Sequence, residues 1–83
     1  MRIIDTIAHP SMSIQIFMWN DKYIVKFEAG RYMEQIYKFP CIDIPSIDYL
    51  KQIINHKFIE KVQDRFNDMH QQLRDINFGR IED

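Results

Sequence analysis

The chain has 83 residues, 46% of them hydrophobic and 28% charged, with a formal net charge of -1. This is the composition of one small globular domain and leaves out collagen-like, low-complexity and highly charged disordered chains. So balanced a charge exerts no long-range pull on DNA, RNA or anionic lipid, which disfavours nucleic acid and membrane surfaces as partners.

The first segment, Arg2 to Ala8, carries Ile3, Ile4, Ile7 and Ala8 as scattered apolar residues with Asp5 among them. It lacks the apolar run of a signal peptide or a spanning segment, so cytoplasmic residence is the default expectation. An extra edge strand or a loose arm fits it. Pro10 restricts His9 to extended geometry and cannot donate to a ladder, so pairing is expected to lapse there.

From Met12 to Met18 the even positions are Met12, Ile14, Ile16 and Met18, and the odd ones begin Ser13 and Gln15. Alternation of this kind indicates a half-buried strand. Asn20-Asp21 then supplies a two-residue turn, since both side chains tolerate left-handed geometry. Beyond it Tyr23, Val25, Phe27 and Ala29 take the odd positions. The implied register sets Met18 by Tyr23, Ile16 by Val25 and Ile14 by Phe27, so the apolar pairs share one face.

A third strand is expected from about Tyr32 to Phe39, in one of two registers. A two-residue turn at Gly30-Arg31 would place Glu34, Ile36 and Lys38 on the core face and Tyr37 on the other. A loop longer by one residue brings Met33, Gln35, Tyr37 and Phe39 inward instead. The balance tips to the second, which buries aromatics and leaves Glu34 and Lys38 in water. The outer face of the sheet then carries Phe17, Trp19 and Ile24, joined by Tyr37 in the first register. These four are the candidate ligand or partner surface, because such a cluster must otherwise be shielded. Aromatics on a sheet can also stack bases, with Lys22, Lys26, Arg31 and Lys38 available, but the motif of an RNA-binding sheet is absent.

Two prolines stiffen the crossing from Pro40 to Pro45, and Ile42 and Ile44 can plug the end of the core. Cys41 is the only cysteine. A lone thiol fits a reducing compartment or a small buried apolar residue; as a nucleophile it would need a nearby cation or histidine.

Ser46 is the expected N-cap of a long amphipathic helix, with Asp48 well placed in its first turn. Apolar residues recur at Ile47, Leu50, Ile54, Phe58, Val62, Phe66, Met69, Leu73 and Ile76, three or four apart throughout. Asn55-His56 interrupts the stripe, and a bend or break into two helices is expected there. From Val62 the spacing resembles two coiled-coil heptads. On the other side Lys57, Lys61 and Arg65 run beside Glu60, Asp64 and Asp68, a solvated, self-compensating face. Gly79 is the expected helix stop and Arg80 to Asp83 a frayed tail.

Chemistry is sparse. His9, His56 and His70 match no zinc spacing, and Gly30 and Gly79 are the only glycines, so no metal or cofactor is expected. An enzyme would have to use Cys41 or Glu34. The expected fold is α+β: a three-stranded antiparallel meander, with an N-terminal segment as candidate fourth strand, followed by one long, kinked C-terminal helix. A helix of about 31 residues is near 46 Å long at 1.5 Å each. Strands of seven or eight residues reach only about 27 Å. Part of the stripe must therefore double back or meet another subunit, with Phe66, Met69, Leu73 and Ile76 as the expected oligomer contact. Isologous pairing is the common solution, so the expectation is a homodimeric protein-interaction module, with another protein as a further partner.

Overall fold

The computed structural model describes residues 2–30 and 33–76. Four strands, β1 (Arg2–Ile7), β2 (Ser13–Trp19), β3 (Lys22–Ala29) and β4 (Met33–Pro40), form an antiparallel sheet in the order β1-β2-β3-β4. A short 3-10 turn at Cys41–Asp43 leads to helices α1 (Ile47–Ile53) and α2 (His56–Asp75). The expected stop at Gly79 and tail at Arg80 to Asp83, and with them Arg31 and Tyr32, lie outside the described residues.

The sheet follows from alternation and turn chemistry. β2 and β3 pair in the register that places Ile14 by Phe27, Ile16 by Val25 and Met18 by Tyr23. Asn20 takes the left-handed conformation at φ 56°, which an asparagine side chain tolerates better than most. The N-terminal segment is a strand rather than a loose arm. It pairs along β2, with a shift of register between Ile3 and Asp5. β4 adopts the register with the longer loop, Ala29 opposite Met33 and Val25 opposite Tyr37, so Met33, Gln35, Tyr37 and Phe39 face the helices.

The helical layer is two helices, not one. Ser46 caps α1, its Oγ accepting from the backbone N–H of Tyr49 at 3.1 Å. Ile54 then leaves helical geometry, and Asn55 caps α2 by accepting from the N–H of Phe58 at 3.0 Å. The polar interruption thus ends one helix and begins the next, satisfying donors that a break would otherwise strand.

The core lies between this layer and one face of the sheet: Met12, Ile14, Ile16, Val25 and Phe27 below, Ile44, Leu50, Ile54, Val62 and Phe66 above. Phe58 stacks on Phe27 with ring centroids 5.9 Å apart, and the edge contacts of Tyr37 with both rings, at 5.7 and 5.1 Å, close the cluster. Polar contacts then tie α2 to β4. Gln35 Nε2 donates to the carbonyl of Val62, Tyr37 Oη donates to Gln35 Oε1, and Arg65 Nη1 donates to Tyr37 Oη, each at 3.0 Å. Arg65 stays exposed, but its guanidinium reaches Tyr37 rather than only the acidic residues beside its column. α1 is tied to β1 by the ion pair of Lys51 with Asp5.

Two outcomes test this packing. Phe66→Ala is expected to cost about 3 to 5 kcal/mol, a large part of the stability of so small a domain, read from urea unfolding. Asn55→Ala should cost about 1 kcal/mol, because the first turn of α2 loses its cap. A third concerns pH. The Lys51 ammonium and then the Thr6 N–H hold the Asp5 carboxyl below its ordinary value. A group depressed in this way stabilises the fold above the ordinary carboxylate range and loses that contribution as pH falls through its folded value. The advantage of the parent over Asp5→Asn should therefore be present at neutral pH and vanish in acid.

Candidate interaction surfaces

With both described helices on one side, the other face of the sheet is open among the described residues. Its rows follow from the register: Ile3, Phe17, Ile24 and Lys38 in one, Thr6, Gln15, Lys26 and Ile36 in the next. Trp19 lies opposite Lys22 at the β2–β3 turn, and Ser13, Glu28 and Glu34 form the far end. Phe17, Trp19, Ile24, Lys26, Ile36 and Lys38 enclose a shallow hollow of about 220 Å³. Ile24 is its floor, only 6% exposed although it faces away from the core, because its neighbours' side chains lean over it. The rim is open: Ile3, Trp19 and Ile36 are each about half exposed, at 50%, 51% and 48%.

Three of the four residues expected on this surface, Phe17, Trp19 and Ile24, are thus brought together. Tyr37 is not with them. The register of β4 turns it to the helical side, where it packs on Phe27 and Phe58. Ile36 takes its place, and Ile3 adds a further apolar edge. Both were legible as alternate positions once each strand's register was known, and neither was singled out by periodicity alone.

Charge on this face is divided. Lys22 and Lys38 lie towards the β2–β3 turn, Glu28 and Glu34 at the opposite end, and Lys26 between them. Lys26 Nζ sits 5.7 Å from the centre of the Phe17 ring and 3.4 Å from Glu28. Its ammonium is therefore shared between a cation–π contact and an ion pair.

The second expected surface is smaller than the stripe implied. Phe66 is 1% exposed and belongs to the chain's own core, and Met69 packs partly against that core. The break at Ile54 and Asn55 is the cause. It shortens the distal helix to 20 residues, about 30 Å, close to the reach of an eight-residue strand. Only the end overhangs: Leu73 is half-buried and Ile76 is 63% exposed.

The remaining candidates are separate. Glu34 is exposed, opposite Glu28, and so is not the half-buried carboxylate of the alternative register. Cys41 is half-buried with Sγ 3.6 Å from the Met18 thioether. Among the described residues, no three His, Cys, Asp or Glu side chains converge in a way that could hold a metal ion. No described helix is long and apolar enough to cross a membrane. Comparison with protein-family models, with curated proteins and with solved structures yields no match to this chain.

Floor and rim of the hollow should separate under substitution. Ile24→Ala is expected to cost about 2 kcal/mol, as a covered side chain is lost. Trp19→Ser, at the rim, should stay within about 0.5 kcal/mol of the parent in urea unfolding.

Proposed function

We propose that this chain is a small homo-oligomeric protein-interaction module of the cytoplasm, with the sheet face opposite the described helices as its surface for protein contact. One observation carries the reading: Phe17, Trp19, Ile24, Ile36 and Ile3 form a continuous apolar cluster on the side of the sheet that, among the described residues, no helix covers. Large exposed apolar patches ringed by polar residues mark association sites, and a core as thin as this one gains from the extra burial. Closed assembly of identical copies is the usual form. The lone thiol is the ground for the cytoplasmic assignment.

The lysines beside Phe17 and Trp19 support a second reading, an anionic ligand or a single strand of nucleic acid stacked on the rings. It is the weaker of the two. Lys26 already occupies a position over the Phe17 ring, and two glutamates close the far end of the face. Catalysis by Cys41 or Glu34 has less support, since one neighbours a thioether and the other stands in open water beside a second carboxylate.

Sedimentation equilibrium at low micromolar concentration should show a discrete oligomer, and a persistent monomer would overturn the proposal. Fluorescence of Trp19, titrated with oligonucleotides, should show no saturable change; a saturable one would favour the nucleic-acid reading.

A further inference from the structure

We infer that two copies of this chain join through β4, their strands pairing antiparallel about a twofold axis at Ile36, so that the two sheets become one. This rests on the homo-oligomeric reading above and places the contact between copies at the β4 margin of the sheet, leaving the apolar face itself to another protein.

The two ends of the sheet are not equal. β1 is a six-residue strand whose register shifts between Ile3 and Asp5, and such irregularity spoils an edge as a template for pairing. β4 is a regular eight-residue strand, in step with β3 from Met33 to Pro40, and among the described residues nothing pairs with its outer side.

Its sequence is self-complementary about Ile36. With that residue on the axis, Glu34 stands opposite Lys38 of the second copy, and Lys38 opposite Glu34. Met33 meets Phe39 and Gln35 meets Tyr37 in the same way. The charged pairs fall on the outer face and the Met33–Phe39 pairs on the helical side, as the pleat requires. Residues directly opposite in an antiparallel pair have Cβ atoms about 4.5 to 5.5 Å apart, within reach of an ion pair. Moving the axis to Gln35 sets Glu34 against Ile36, and moving it to Tyr37 sets Glu34 against Pro40. Either shift loses both ion pairs.

Inside one copy the same two charges are badly placed. Glu34 lies directly opposite Glu28, with Lys26 only on its diagonal, and Lys38 lies opposite Ile24 with Lys22 and Lys26 on its diagonals. Like charges across a pair of strands are destabilising. A second copy supplies an opposite charge directly across from each on its outer side. It also brings Ile36 of both copies together, merging the two apolar hollows into one wider surface.

Charge reversal tests this directly by sedimentation equilibrium. Glu34→Lys or Lys38→Glu alone places two like-charged pairs across the axis and should loosen the dimer by roughly tenfold or more. Each single variant relieves a clash within its own chain, so its thermal midpoint as a monomer should not fall, which separates lost association from lost folding. Mixing the two single variants, or combining both substitutions in one chain, restores opposite charges at every pair and should restore the dimer. A parent dimer indifferent to the single reversals, or one that the combined variant fails to restore, overturns pairing through β4. Dissociation by Trp19→Asp or Leu73→Asp would then place the contact elsewhere and leave the homo-oligomeric reading standing. A monomeric parent overturns both.

Discussion

A β-strand presents alternate residues to opposite faces, so the register of β4 on β3 settles both surfaces of the sheet together. Ala29 stands opposite Met33 across a three-residue connection, and every later residue of β4 is assigned by that one pairing. Met33, Tyr37 and Phe39 go inward, where Tyr37 completes an aromatic cluster with Phe27 and Phe58. Gln35 goes inward as well, and its amide is satisfied by the carbonyl of Val62. Glu34, Ile36 and Lys38 go outward. A connection shorter by one residue would exchange the two sets, burying two charges and exposing two aromatics.

The helical layer answers to that inner face. Asn55 breaks the long amphipathic stretch and caps α2, which therefore begins over Phe27 rather than beyond it. Shortened in this way, the helix keeps Val62 and Phe66 over the sheet and leaves only its last turn overhanging. Two helices of this size cover one side of four strands. The described helices do not reach both sides, and a second apolar cluster faces outward around Ile24.

That asymmetry links architecture to association. A chain of 83 residues has a thin core and, among the described residues, an edge without a partner, and both are conditions that a second polypeptide relieves. The outer face offers an apolar floor with lysines at one end and glutamates at the other. The edge of β4 offers unpaired backbone and a charge pattern that suits an antiparallel copy of itself. The two surfaces meet at Ile36, so joining the edges enlarges the face rather than consuming it.

Local patterns were readable without the fold. The β2–β3 hairpin, the serine cap at Ser46 and the break at Asn55-His56 each depend on alternation, turn chemistry or capping within a few residues. Even the favoured register of β4 followed from the cost of burying Glu34 and Lys38. What lay beyond the sequence were the assignments that depend on a distant partner. The N-terminal segment could be strand or arm until β2 was seen beside it. Tyr37 was only favoured for the inner face until the pairing of Ala29 with Met33 fixed it there. Phe66 looked available to another subunit because a helical stripe records which residues are apolar and not what lies opposite them. Periodicity is a property of one element, whereas burial belongs to a pair of elements. The sequence by itself therefore determined the elements and their apolar sides, and only the tertiary structure decided which of those sides this chain covers for itself.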